Sequence, residues 1–463
     1  MFEKYRVIHF VGIGGIGMSG IAEVLSNLGY EVTGSDLKES ETTRRLGSMG
    51  IRISTGHRAE NVATADVVVI SSAVSDDNPE VVAAKQRAVP VIPRAEMLAE
   101  LARLKYSILV AGAHGKTTTT SLISTVLGHG GLDPTIIIGG KLKGIGSNAR
   151  LGSGEFLVAE ADESDGSFLK LSPTIAVVTN IDREHMEFFR DMGRLKDAFC
   201  SFINKVPFYG VSIICLENEH IRELVPHIHR RYVTYGFTEE ADLRAVNIRK
   251  GFMSTSFDVL FRNSAAGSFT IPVPGQHNVL NALACIGVCL ELKMDIRAVQ
   301  EALAGFSGIM RRFEFKGEAG GIRVYDDYGH HPTEVRATLA AAIENVGFLA
   351  GTARLFVLFQ PHRYTRTADL MDEFAGSLNG PHKVLLLDIY PAGERPIEGV
   401  TAKALHDRIR AKGNDHVVYC AGMDDAVKSL VPELRAGDIV LTLGAGDVWK
   451  AGEKVLEVLH GNK

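Results

Sequence analysis

Short apolar runs alternate along the whole chain with stretches in which apolar side chains recur every three or four positions. Near the start, "RVIHFVG", "EVTGSD" and "ADVVVISSA" read as strands. Between the first two, Ile21, Leu25 and Leu28 share one face of a helix expected from about Ile16 to Leu28. The proline-punctuated "VPVIPRAEML" precedes a fresh strand, "YSILVA", so a first boundary falls near residue 105. The second block runs through "EFLVAE", "TIAVVTNID" and "GVSIICLEN", then a strand-rich stretch, and ends in the apolar helix "VLNALACIGVCLEL". A third block begins near "GIMRRFEFKG" and carries strands "IRVYDDY", "RLFVLFQ", "KVLLLDIY" and "DIVLTLG". Strand and helix in steady alternation predict α/β domains with largely parallel sheets. Three are expected, over 1–104, 105–308 and 309–463.

Length agrees, because 463 residues exceed what one core usually organises. Hydrophobic residues at 45% and charged residues at 23% are those of a globular protein. A net charge of -5 leaves no basic stripe for nucleic acid. Cys200, Cys215, Cys285, Cys289 and Cys420 form no CxxC pair and read as reduced thiols of a cytoplasmic protein. Lys4 and Arg6 before apolar residues imitate a signal peptide, but His9 and the dense glycines break the apolar region. No apolar run approaches the roughly 18 residues that span a bilayer, so no membrane is expected.

Two stretches read as phosphate cradles. In the first block Gly12, Gly14 and Gly17 spell GxGxxG between strand and helix, and Asp36 ends the next strand. Glycine lets the backbone approach a pyrophosphate at the positive end of a helix. That pattern does not separate NAD from a UDP-sugar, and a plain strand-to-helix turn would also produce it. In the second block "GAHGKTT", Gly112 to Thr118, follows a strand and opens a helix. A Walker A loop needs glycine five positions before Gly115; Val110 stands there, so this is a shortened variant. Lys116 can still bridge phosphates and Thr117 can ligate Mg²⁺. Threonines at a helix start restrict χ1, a poor choice for a merely structural turn.

"EADESDGSF" places Glu160, Asp162, Glu163 and Asp165 after a strand, and "TNIDREHMEFF" places Asn180 and His185 after the next. Each alone suits a solvated turn. Beside a phosphate loop they suit a Mg²⁺-nucleotide site. In the third block "DDYGHHPTE" and "QPHRYTRT" follow strands, the latter grouping His362, Arg363 and Arg366, where arginines suit carboxylates or phosphates. Solvated cations at a helix start are the plain alternative. "LGAGDVWK", with Gly444 to Asp447, is a third glycine turn to which no role attaches.

In this order, "HFVGIGGIGMSGIAEVL", "GAHGKTTT", "EADESDGSF", "GQHNVLNALA", "RRFE", "DDYGHHPTE" and "QPHRYTRT" resemble the Mur ligase family over nearly the whole length. The resemblance implies a Rossmann-like first domain for the UDP of a sugar substrate, a central ATP-binding domain, and a Rossmann-like C-terminal domain closing over both. "GIGGIGMSG" and "DDYGHHPTE" point to the branch that adds L-alanine to UDP-N-acetylmuramate through an acyl phosphate, in peptidoglycan precursor synthesis. It implies ATP as co-substrate, two Mg²⁺ ions, and small-molecule substrates only, and leaves a homodimer open. By position, Gly112, Ala113, His114, Gly115, Lys116, Thr117, Thr118, His277, Asn278, Asn281, Arg312 and Asp327 would serve ATP. Thr117, Glu160 and His185 would hold metal, with Lys116, Glu160 and His185 the catalytic set. Gly14, Gly15, Asp36 and Ser71 would contact the UDP-sugar, and His330, His362, Arg363 and Arg366 the substrate carboxylate and alanine.

Members usually carry threonine at Ala113 and aspartate at Glu184. Nothing in the chain points to the carbamylated lysine of later pathway members. A relative that joins a whole peptide to the same sugar, a nicotinamide-dependent oxidoreductase and a non-catalytic nucleotide sensor remain as rivals. The oxidoreductase leaves the second cradle idle; the sensor predicts no phosphate release.

Overall fold

The computed structural model describes residues 5–71, 73–140, 148–349 and 353–461. Three sheets follow one another along the chain. The first holds β1 (Val7–Val11), β2 (Glu31–Asp36), β3 (Arg52–Thr55), β4 (Val67–Ile70) and β5 (Val91–Pro93), in the order β3-β2-β1-β4-β5 and parallel throughout. The chain leaves β1 toward β2 and β3, then returns to its other side for β4 and β5. That reversal opens a crevice at the C-terminal end of β1, where such sheets take ligands. The following helix, Ile16–Asn27, buries Met18, Ile21, Val24 and Leu25. Leu28, expected inside it, is its C-cap.

The second sheet comprises β6 (Tyr106–Ala111), β7 (Thr135–Ile137), β8 (Ala149–Arg150), β9 (Phe156–Glu160), β10 (Ile175–Val178), β11 (Val211–Cys215), β12 (Tyr232–Gly236), β13 (Leu243–Gly251), β14 (Ser254–Phe261) and β15 (Ser264–Ile271). Its order is β15-β14-β13-β12-β11-β10-β6-β9-β7-β8. β6 lies between β10 and β9, parallel to both. The segments leaving these three strands therefore emerge side by side at one edge. They are the glycine loop, the acidic stretch and "TNIDREH".

The third sheet holds β16 (Glu314–Ala319), β17 (Ile322–Asp327), β18 (Leu355–Phe359), β19 (Lys383–Leu386), β20 (Val417–Tyr419) and β21 (Ile439–Leu443). The order is β16-β17-β21-β18-β19-β20, with only β16 antiparallel to its neighbour. Side chains alternate as a strand requires. Leu355, Val357 and Phe359 enter the core on one face, and Phe356 and Leu358 the core on the other.

Contacts group the chain into two compact units. One comprises Met1–Ile248, Phe257–Thr270 and Leu280–Ser307; the other comprises Arg249–Ser256, Ile271–Val279 and Gly308–Lys463. The first two sheets thus share a unit in large part. All five cysteines are free thiols, and all but the half-buried Cys200 are buried. Among the described residues no helix is long and apolar enough to cross a membrane.

Candidate functional site

β6 ends at Ala111, and the helix Lys116–His129 opens after a tight loop. Gly112 and Gly115 take φ of +134° and +82°, a region costly for other residues. The loop is pressed against the end of β10. A Cβ on Gly112 would lie 2.1 Å from Thr179 Oγ1 and 3.0 Å from the backbone N and O of Asn180. Asn180 holds the loop from both sides: its Oδ1 accepts from His114 N at 2.8 Å and its Nδ2 donates to His114 O at 2.9 Å. Its backbone carbonyl accepts from Ala113 N at 3.2 Å, so the alanine at this position is engaged through its main chain. His114 Nε2 lies 2.8 Å from Asp182 Oδ2. Thr117 and Thr118 follow in the first helical turn, and Thr119 donates to Asn281 Oδ1 at 3.1 Å. Asn281 Oδ1 lies 2.6 Å from where a Cβ on Gly115 would stand.

Lys116 Nζ donates to the carbonyls of Gly112 and Ala113 and contacts Glu163 Oε1 and Oε2 at 2.9 and 3.0 Å. Burial works against its charge, but Glu163 and Asp162 outweigh burial and hold the ammonium above its ordinary value. Burial likewise pushes the Glu163 carboxyl up, against the pull of Lys116. Donor atoms of Glu163, Glu184 and His185 lie within 4.8 Å of one another, and two carboxylates with an imidazole can hold a divalent cation. The sequence expectation named Glu160 with His185 for this role; the cluster adds Glu163 and Glu184 beside His185. Glu160 closes β9 and accepts from Gly139 N at 2.7 Å. The turn that follows, closed by Gly166 N donating to Glu163 O at 2.9 Å, brings Glu163 to Lys116. Strand-end alternation is visible in sequence; the return of a turn is not.

At the first cradle Asp36 Oδ2 accepts from Gly14 N at 2.8 Å. Gly15 caps the helix Ile16–Asn27, and Ser71 Oγ lies 3.7 Å from where a Cβ on Gly12 would stand. Gly14, Gly15, Asp36 and Ser71 thus border one turn. Gly12 N and Ile13 N donate to Ser35 O at 2.8 and 3.0 Å. Ser35 is fixed in turn by the buried Glu80, whose Oε2 accepts from Ser35 Oγ at 2.6 Å.

In the second unit the segments after β17 and β18 carry His330, His362, Arg363 and Arg366. His330 and His362 have ring centroids 5.9 Å apart, and His362 stacks on Tyr390 at 5.6 Å and 6°. Burial, then His330, Arg366, Arg363 and Arg311, bring His362 down to about 3, leaving a neutral ring among cations. Arg366 Nη1 donates to His362 O at 3.3 Å. Arg363, at φ +71°, caps the helix Tyr364–Asp369. Arg312 lies over the Tyr328 ring at 5.2 Å. Asp327 is buried and accepts from Phe313 N, Gly329 N and Thr338 Oγ1 at 2.8, 2.8 and 3.1 Å. The helix Gln276–Glu291 carries Asn278, which donates to Pro274 O at 2.7 Å, and His277, which burial and Arg312 bring down to about 4.

Sequence reasoning passed over three positions. Asn218 caps the helix Glu219–Leu224 through its Oδ1, which also accepts from Ile181 N, while its Nδ2 donates to Ile181 O at 3.0 Å. Arg311 donates to Gly444 O at 2.6 Å and to Asp326 at 3.0 Å, which gives the third glycine turn a partner. Tyr390 is the stacking platform of His362. An asparagine after a strand is a helix-cap signal; nothing in sequence announces the other two.

Comparison with known proteins bears on all three sheets. Residues 7–106 match the model described as Mur ligase family, catalytic domain; 110–289 match the Mur ligase middle domain; and 311–446 match the Mur ligase, glutamate ligase domain. The UDP-N-acetylmuramate–L-alanine ligase of Geobacter sp. strain M21 is 58% identical over the whole of both chains. The enzyme of that name from Geobacter sulfurreducens is 57% identical over 99% of each. The crystal structure of UDP-N-acetylmuramate-alanine ligase MurC from Thermotoga maritima superposes with a TM-score of 0.83 at 30% identity, covering 98% of this chain and 99% of that one. A murein peptide ligase from Psychrobacter arcticus shares the fold, with a TM-score of 0.71 at 23% identity over 98% of each chain. With three models of one family matched in succession and relatives alike from end to end, the chain belongs to the Mur ligase family.

Proposed function

We propose that this protein is an ATP-dependent ligase joining L-alanine to the lactyl carboxylate of UDP-N-acetylmuramate, in the cytoplasm, for peptidoglycan precursors. One observation carries the reading: a shortened phosphate loop, held open by Asn180, sets a charged lysine beside two carboxylates and an imidazole, in a chain 58% identical throughout to a ligase of that name. The lactyl carboxylate oxygen attacks the γ-phosphorus of ATP, giving an acyl phosphate and ADP. The amine of alanine attacks the acyl carbon, phosphate leaves with the C–O bond electrons, and the amine gives up a proton. Both first partners are anions, so their approach is opposed by repulsion. Lys116 and the N–H groups opening the helix Lys116–His129 offset it and grip the phosphoryl oxygens as charge spreads over them.

Glu163, Glu184 and His185, together with Thr117 and Glu160, would hold Mg²⁺; two ions are our reading of this donor set. The metal supplies positive charge between carboxylate and polyphosphate. In the second unit Arg363 and Arg366 are assigned to carboxylate groups, and His330 and the neutral ring of His362 to hydrogen bonding beside them. Gly14, Gly15, Asp36 and Ser71 are assigned to the UDP moiety. Phosphate release with ATP and UDP-N-acetylmuramate, across L-alanine, glycine, L-serine and a murein tripeptide, tests the reading. Alanine should give the highest kcat/KM. Release that needs no amino acid, or that favours the tripeptide, would overturn it.

A further inference from the structure

Lys116 has no hydrogen left for a phosphate. An ammonium offers three donors. Here the Gly112 and Ala113 carbonyls and the two oxygens of Glu163 take them all. Glu163 is only 2% exposed and faces the lysine with both oxygens, as a phosphoryl group would. The carboxylate also has a second call on it, since its donor atom lies within 4.8 Å of those of Glu184 and His185.

We propose that Glu163 is an exchangeable partner of Lys116, holding the phosphate's place in the nucleotide-free protein and turning to a divalent cation beside Glu184 and His185 when nucleotide enters. The inference rests on reading the loop as the ATP site. If nucleotide took Lys116 without a cation, a buried carboxylate would be left beside a polyphosphate with nothing to neutralise it, an arrangement proteins avoid. With the cation, each anion has a counter-charge. Glu163 thus couples the two ligands: the lysine competes with metal for the carboxylate, and the carboxylate competes with phosphate for the lysine. By linkage the coupling is reciprocal.

Calorimetric titration of the full chain with ADP, in EDTA and in Mg²⁺, tests one side. Glu163→Gln removes the competitor, so metal-free ADP should bind roughly fivefold or more tighter than to the parent, and the gain from Mg²⁺ should shrink. Mn²⁺ titration followed by electron paramagnetic resonance, with no nucleotide present, tests the other. Lys116→Met frees the carboxylate, so Mn²⁺ should bind several-fold tighter. If Glu163→Gln fails to fold, the Lys116→Met titration decides alone. Unchanged or weaker metal-free ADP binding in a folded Glu163→Gln protein overturns the exchange, and so does unchanged Mn²⁺ binding in Lys116→Met. A parent that binds ADP under neither condition would sink the ATP-site reading itself, and this inference with it.

Discussion

Gly112 has no room for a methyl group: the clash is with Thr179 Oγ1 and with the main chain of Asn180, at a backbone angle of +134°. Gly112→Ala should therefore cost about 2–4 kcal/mol of stability or spring the loop from β10, and ATP binding should fall in either case. Thermal unfolding with and without ATP separates the outcomes, and a variant equal to the parent in both would show the loop to be slack. Glu80 makes a prediction with a pH sign. It is fully buried, and although burial alone would raise its carboxyl, the His9 ring 3.6 Å away and hydrogen bonds from Ser35 and Asn61 bring it from 4.5 to about 2. A depressed carboxyl contributes its stability above 4.5 and loses it as pH falls toward 2. Glu80→Gln should cost roughly 3 kcal/mol at neutral pH. The gap from the parent should close between pH 4.5 and 2, as read by urea unfolding; a gap constant over that range would contradict the assignment. At this scale the sequence announced residue types but not partners. Lys116 and His185 could be singled out, whereas the meeting of Glu163 with Lys116 depends on how the turn after β9 folds back.

Strands were the most legible elements, because parallel strands covered on both faces read as unbroken apolar runs. What the runs do not encode is their order across a sheet. The glycine loop, the acidic stretch and "TNIDREH" meet because β9 and β10 flank β6, and that adjacency joins segments far apart in the chain. Asn218 shows how one element holds another. Its amide caps the helix Glu219–Leu224 and grips both backbone groups of Ile181, in the segment leading to Glu184 and His185. Losing the cap costs about 1 kcal/mol. The two bonds to Ile181 add about as much again. Asn218→Ala should lower stability by that sum and weaken Mn²⁺ binding, because the segment carrying Glu184 and His185, proposed above to hold the cation, loses its clamp. Unaltered Mn²⁺ affinity alongside the lost stability would limit Asn218 to helix capping.

Across the molecule, the question is how far the two cradles act alone. They stand on different sheets of one compact unit and, among the described residues, share none. Lys116 donates to its own loop and to Glu163, while Gly14 N donates to Asp36. Arg94 touches both neighbourhoods: it donates to Asp162 at 3.1 Å, and its Nη1 lies 2.7 Å from where a Cβ on Gly17 would stand. On the proposed role of Lys116 at the transferred phosphoryl, Lys116→Ala should lower turnover by about 10²–10³ or more. The first cradle keeps its Asp36 bond and its Arg94 contact, so UDP-N-acetylmuramate should bind within about twofold of the parent, a change well under 1 kcal/mol. Arg94→Ala should instead weaken both, loosening the start of the first helix while leaving Asp162 without its arginine. Phosphate release and calorimetry on the two variants give four values, and the pattern decides: a folded Lys116→Ala protein that has lost the UDP-sugar as well would mean that the cradles are one site, and the division of labour between the two sheets would fall.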